Sequence, residues 1–565
     1  MDELKSKLST AHARRLRCNW KQWGLACASS VLSLSLADAV RAQELPPATA
    51  PSGITTIEPS APPAVVPPSL PVAPPPPPPA IVLIEPRKDG TAEVALIAPP
   101  PALTPPPPST PAWTPVYTGS FFTRYELRSG YDDLGIASAT SRPRFNDGDS
   151  IYYRMRLGIG TGLIDVGNGL KVALQFTPQA TGVFGNLTNS PASPNTNIDA
   201  NLGIHEGYAR VQGKHTRFDA GRFEMNYGDA LMLGNQDWNE IARSFDGVRA
   251  RFSANSADPT LPWVDVFATV LDEGRPDTFR NYPNDQLPGI GQGDVYLTGI
   301  YGAFGPAITK GLDLDLYSFV RSWGPAKGFH TVSGNAMSPT WDRESAAEAT
   351  FGARAKQKVK WFDYRSEVGL QAGSRPGAAP AATATAPVAK IKSTDVLAYQ
   401  ADLELGASMF GDKYRVSLEG LYASGDKAKT AGKSEGWDEL YPTAHKWLGL
   451  SDAWAQAGQK RTNTASGVLH LTANPIKPLT FQVDGHLLAR PEKSPQFYNH
   501  RGLSAGEVDI AMVYMLAKGL KVRATYAVFL PNNGAYHDTL PNAATAKNAD
   551  PVQFCEVELR YDLMP

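Results

Sequence analysis

The chain has 565 residues, with 54 Lys and Arg against 55 Asp and Glu for a formal net charge of -1, and it carries 50 glycines and 49 prolines. That balance excludes a duplex nucleic-acid binder, which needs a basic stripe to neutralise phosphates. Of three cysteines, Cys18 and Cys27 lie near the start and Cys555 stands alone, so neither a disulfide framework nor a multi-thiolate cofactor site can form, and no cofactor or metal is expected.

Residues 1–42 read as a secretory signal peptide. Lys5, Lys7, Arg14, Arg15, Arg17 and Lys21 precede an apolar stretch from Trp23 to Leu36, and Val40-Arg41-Ala42 offers small residues for cleavage. The apolar stretch is shorter than the about 20 residues a spanning helix takes. Residues 43–115 change character to proline runs such as Pro74 to Pro79, which lack backbone donors and favour an extended polyproline II spacer of about 3.1 Å per residue. This segment is expected to be disordered, lying in the periplasm. Within it, Ile81 to Glu85 and Ala92 to Ala98 flank Asp89-Gly90, a turn dipeptide suited to a small hairpin over 81–98. The segment is otherwise a linker or a docking site for cell wall or a periplasmic partner.

From residue 116 to 565 the apolar period becomes two and stays so, with no convincing helix of three turns. Tyr153, Met155, Leu157 and Ile159 alternate with Tyr152, Arg154 and Arg156; Leu397, Tyr399, Leu403 and Leu405 oppose Gln400, Asp402 and Glu404. The runs extend to about ten residues or more, as tilted membrane strands require, whereas strands of soluble sandwiches average about five to six. The connections alternate short (Gly167-Asn168-Gly169, Gly213-Lys214, Lys518-Gly519) and long (Met225 to Ser244, Gly425 to Thr464, Leu530 to Asp550). Fold class is therefore all-β: a transmembrane antiparallel barrel of about 18 strands in the outer membrane of a Gram-negative cell, in contact with its lipid. Tyr117, Tyr131, Trp263, Trp323 and Tyr422 fall near strand ends, where interfacial girdles sit.

Several strings resemble the alginate export family of outer-membrane channels. They are Ile204 to Val211 (IHEGYARV), Gly221 to Gly247 (GRFEMNYGDALMLGNQDWNEIARSFDG), Leu440 to Asp452 (LYPTAHKWLGLSD) and Gly506 to Tyr514 (GEVDIAMVY), with Ser424-Gly425-Asp426 among them. The resemblance implies an 18-stranded barrel whose lumen passes a linear, carboxylate-bearing polysaccharide such as alginate or its oligosaccharides, guided by arginines and gated by long loops; it implies no reaction. Members of that family often carry an Asp and an Arg soon after the third strand's Gln, whereas here Gln175 is followed by Phe176-Thr177-Pro178-Gln179.

Strand parity puts Arg124, Glu126, Arg128, Arg154, Arg156, Glu206, Arg210, Arg321, Arg365, Glu367, Arg415, Arg523 and Arg560 on the lumen face as a candidate substrate path. Asp315, Asp363, Asp402, Glu419, Asp509, Glu556 and Glu558 share that parity with Arg354, so the lumen is mixed in charge. Any one of these arginines serves as well in a ladder of ion pairs bracing the wall as in a path. The loop from Met225 to Ser244 is a candidate constriction: Tyr227, Asp229, Trp238 and Arg243 lie in it, and Trp238 and Arg243 suit a sugar ring and a carboxylate. A diffusion porin for small anions or sugars is the alternative. An enzyme is not expected: Gly502-Leu503-Ser504-Ala505-Gly506 matches a nucleophile-elbow pattern, but it lies in a loop before a strand and no helix follows it. His205 and Glu206, adjacent on a strand, are expected to face opposite sides.

Overall fold

The computed structural model describes residues 83–86, 92–95, 115–131, 147–184, 201–258, 260–272, 290–291, 294–305, 311–332, 336–377, 389–427, 432–456, 461–493, 500–532 and 550–563. Residues 1–42, expected as a leader, and residues 43–114 apart from two short strands lie outside them. Those strands, Leu83–Pro86 and Ala92–Ala95, pair antiparallel, while the expected Asp89-Gly90 turn lies outside the described residues.

Apart from a separate four-stranded sheet of Ile290–Gly291, Ala326–Val332, Ala336–Arg343 and Ala389–Ile391, most of the remainder builds one closed antiparallel barrel of 18 spanning strands. In chain order these are Val116–Ser129, Gly148–Gly160, Leu170–Val183, Asn201–Gln212, Thr216–Phe223, Phe245–Ser253, Trp263–Asp272, Val295–Phe304, Leu312–Trp323, Ala346–Val359, Phe362–Arg375, Thr394–Met409, Tyr414–Ala423, Thr464–Ile476, Leu479–Arg490, Gly502–Ala517, Leu520–Pro531 and Val552–Leu563. The last strand pairs with the first, Glu558 opposite Arg124 and Glu556 opposite Glu126. Closure leaves no unpaired edge, which is what a lipid environment demands of a sheet. Among the described residues no helix is long and apolar enough to cross a membrane; the crossing is made by strands.

Alternation sorts side chains as the two-residue period requires. In Thr394–Met409, Leu397, Tyr399, Leu403 and Leu405 are exposed on the outer face while Ala398, Gln400 and Asp402 are buried inside. The outer face is an apolar belt that includes Met155, Leu157, Leu174, Leu418 and Leu487. In water such a belt would be an aggregation surface; in hydrocarbon it is the favourable one.

Three of the five aromatics expected in the girdles face inward instead. Tyr131 is buried, with its hydroxyl donating to Ser451 O at 2.5 Å. Trp263 lies against Tyr227 and Tyr301, and Trp323 lies under the Arg321 guanidinium at 4.6 Å. Tyr117 remains exposed, and Tyr422 stacks on the exposed Tyr399. Position along a strand does not give the face, and here the inner face needs rings at both ends, Trp263 near a short turn and Tyr131 and Trp323 near long loops.

A bulge changes the local parity. Thr177 faces Glu206 and Pro178 faces Ile204, so His205 is the extra residue. Pro178 has no N–H for the ladder, and such a residue is tolerated in a sheet at bulges. His205 is buried and its ring bonds Glu224 at 2.5 Å, while Glu206 feels the same carboxylate. The two therefore share the inner face, contrary to simple alternation.

Candidate functional site

Two connections from the long-loop end fold into the barrel and meet. The first, residues 224–244, buries Met225, Tyr227, Leu231, Met232 and Leu233; the second, residues 424–463, buries Trp437, Leu440, Trp447, Leu448 and Trp454. Together with Phe267, Leu297, Tyr301, Phe319, Leu421 and Leu488 of the wall they form one apolar cluster. The loops are stitched by backbone: Gly234 N donates to Tyr441 O at 2.8 Å, Tyr441 N to Met232 O at 2.9 Å, and Thr443 N to Ala230 O at 3.0 Å. The fully buried Arg461 donates to Leu231 O and to Glu439. The sequence had marked the first loop as a constriction but not the second, whose signal was its apolar content: a connection with Trp437, Leu440, Trp447, Leu448 and Trp454 must bury them somewhere.

The first loop is held to the wall by arginines. Arg154 Nη1 donates to Asp237 O at 3.0 Å and Asn239 O at 3.1 Å, and Arg124 Nη1 donates to Trp238 O at 2.5 Å. The Asp237 carboxylate receives three guanidiniums: Arg154 at 3.0 Å and Arg156 at 2.7 Å on one oxygen, Arg560 on the other. Burial pushes this carboxyl up, but Arg154, Arg560 and Arg156 outweigh it and hold it at about 2. Further round the barrel Asp229 meets Arg354 at 2.7 Å, with Arg365 at 4.0 Å.

The other residues of the expected path fall into two sets. Arg365 sits among Asp402 (2.5 Å), Glu419 (2.8 Å) and Glu404 (3.2 Å), under the Trp447 ring. Arg124 lies among Glu126, Glu556 and Glu558; Arg128 bonds Glu126 at 2.7 Å; Arg321 bonds Asp438 of the second loop at 2.5 Å; Glu367 accepts from the Tyr317 hydroxyl at 3.0 Å. All of these are buried and serve as wall or loop braces. Three arginines near the short turns stay partly open: Arg210 (22% exposed) on Asp219, Arg415 (29%) on Asp363 and Glu404, and Arg523 (26%) beside Glu556. The structure thus divides an apparently uniform set of arginines by what already occupies them.

The loop candidates are occupied as well. Tyr227 is buried, stacks on Tyr301 at 4.4 Å and donates to Asp265. Trp238 stacks on His445 at 4.0 Å and lies against Arg124. Arg243 donates to Gly234 O and Pro442 O, tying one loop to the other, and burial lowers its guanidinium to about 10 despite Tyr441 and Glu439. Ser504 lies within the strand Gly502–Ala517 rather than in a loop, fully buried, its hydroxyl donating to Gly502 O at 3.0 Å; no base reaches it among the described residues.

The alginate export family model matches residues 199–549, which span both in-folded loops and most of the barrel. The chain belongs to the alginate export family. No curated protein matches it. Among solved structures it is similar to Pseudomonas aeruginosa OccK8 (OprE), at 10% identity over 80% of this chain and 98% of that one, with a TM-score of 0.48. It is similar also to opdK of the same organism (14%, 79% and 99%, 0.47) and to Acinetobacter baumannii OccAB4 (9%, 80% and 100%, 0.47). With its family and its closed, lipid-faced wall, this member of the alginate export family is an outer-membrane channel.

Proposed function

We propose that the channel passes a linear, carboxylate-bearing polysaccharide such as alginate, or its fragments, with arginines of the lumen as successive weak sites. The observation that carries this is Asp237: the lumen brings three guanidiniums to one carboxylate, the geometry with which arginine recognises any carboxylate, a uronate included. The partly open Arg210, Arg415 and Arg523 extend the series toward the short-turn end, and several shallow sites let a polymer move without being trapped. Residues 1–42 are then a cleaved leader and 43–115 a periplasmic spacer able to touch cell wall or a partner. Passage of small anions or sugars is the alternative, favoured by the apolar cluster that the two loops build across the lumen.

Single-channel conductance of the refolded protein in a planar bilayer tests this. Block by alginate oligomers but not by a neutral polysaccharide of equal length is expected, weakened by Arg415→Ala and Arg523→Ala. Equal indifference to both polymers, with steady conductance of small anions, would sink the polymer assignment in favour of the alternative.

A further inference from the structure

The inner wall repeatedly sets acid opposite acid across neighbouring strands: Glu126 faces Glu556, Glu404 faces Glu419, and Asp484 faces Asp509 with His486 facing Glu507 in the adjacent pair. Like charges opposite one another in a sheet repel, and burial raises the cost. The first pair is relieved by Arg124 and the second by Arg365. The third has no such partner: among the described residues no Arg or Lys forms an ion pair with Asp484, Glu507 or Asp509; Asp484 instead meets the His470 ring at 2.7 Å and accepts from Gln482 Nε2 at 2.6 Å, and His486 Nε2 lies 3.2 Å from Asp509.

Beside Asp484, whose oxygens are both bonded, His486, Asp509 and Glu507 keep buried polar atoms without a partner. His486, 5% exposed, has neither ring nitrogen in a hydrogen bond, and Nε2 lies 3.2 Å from Asp509 Oδ2 without bonding geometry. Each of two carboxylates gives one oxygen to the second loop and keeps the other unbonded. Asp509 Oδ2 accepts from Leu450 N at 3.0 Å while Oδ1 is unpartnered, and Glu507 Oε1 accepts from Ser451 N at 2.8 Å while Oε2 is unpartnered. Donor atoms of Asp484, His486 and Asp509 lie within 4.8 Å of one another. Rotamer-scale motion closes that spread onto one ion with ligand distances of about 2.0–2.2 Å.

We infer that Asp484, His486 and Asp509, with Glu507 as a further donor, form a divalent-cation site in the barrel wall beneath the second loop. One imidazole with carboxylates, few donors and a dry setting suit a first-row transition ion of the zinc class better than calcium, which takes about six to eight oxygens. The ion supplies the positive charge that arginine supplies at the other two acid pairs, and the loop amides form its outer shell.

The test uses the full mature chain without a histidine tag, refolded in detergent, stripped with EDTA and equilibrated with Zn2+ or Co2+. Retention of about one zinc per chain through gel filtration is expected, as is a Co2+ visible spectrum of a nitrogen-and-oxygen site distinct from the aqueous ion. His486→Gln and Asp509→Asn should each weaken zinc binding about tenfold or more, with folding checked by heat-modifiable mobility on gels. A wild-type chain that retains no zinc and leaves the Co2+ spectrum aqueous overturns the site, because protons then satisfy the carboxylates. Equal zinc retention by folded His486→Gln overturns it too. The wild-type cobalt spectrum decides the matter even where a variant fails to fold.

Discussion

The two in-folded loops occupy one lumen by different physics. Residues 424–463 are held by apolar burial, with Trp437 and Trp454 fully covered, and by amides donated to buried carboxylates. Residues 224–244 also contribute to the core, but their outer limb is held by charge: Asp237, 26% exposed, sits in a cradle of Arg154, Arg156 and Arg560. Apolar burial has no competitor in solution, whereas a partly solvated carboxylate can be exchanged for another carboxylate and is weakened by salt. The comparison therefore assigns the second loop as fixed scaffold and the limb around Asp237 as the movable part.

The largest expected effect comes from breaking the scaffold. Trp437→Ala removes a fully buried indole that packs so closely on the wall that a Cβ on Gly369 would lie 2.7 Å from it. Loss of about 3–5 kcal/mol of local stability is expected, read as protease cleavage within 424–463 and a raised open conductance; an uncut loop with unchanged conductance contradicts a fixed, core-packed scaffold. Gly449→Ala should come next, at about 1–3 kcal/mol. Gly449 has φ of 96°, and a Cβ there would lie 2.4 Å from the Glu507 carboxyl group. Faster amide exchange at Leu450 and Ser451 is the readout.

Asp237→Asn sharpens the contrast from the other side. It leaves three guanidiniums facing an amide, at a cost of about 1–2 kcal/mol after allowance for its exposure. The barrel should keep its heat-modifiable mobility while anion conductance rises and its salt dependence falls; a barrel that fails to fold would place the scaffold here instead. Acid gives the mildest version. Because the Asp237 carboxyl is held at about 2, below its ordinary value, its ion pairs are at full strength above about pH 4 and are lost as pH falls through about 2. Conductance recorded from pH 6 downward should stay level to about pH 4 and then rise; a rise centred near pH 6 would point to a histidine instead.

Strand content, the tight turns and the lumen parity of the arginines were legible in the sequence because a two-residue period and turn residues are local properties. Four features were not. The bulge at Pro178 reversed the parity of His205 against Glu206, inward packing took Trp263 and Trp323 from the girdle, the second loop entered the barrel, and no residue spacing flagged Asp484, His486 and Asp509. Those three come together because strands Leu479–Arg490 and Gly502–Ala517 pair with Asp484 opposite Asp509, and a period of two looks the same for a ligand set as for any lumen face.

By itself, then, the sequence determined an 18-stranded, lipid-faced wall with a mixed-charge interior, since alternation and strand length are set residue by residue along each strand. Which arginines are already spent, which loop is bolted and which is latched, and where acids gather without a guanidinium were decided only by tertiary structure. Charge pairing depends on what register and loop entry bring within a few ångströms, and partners such as Arg560 and Asp237 stand 323 residues apart in the sequence.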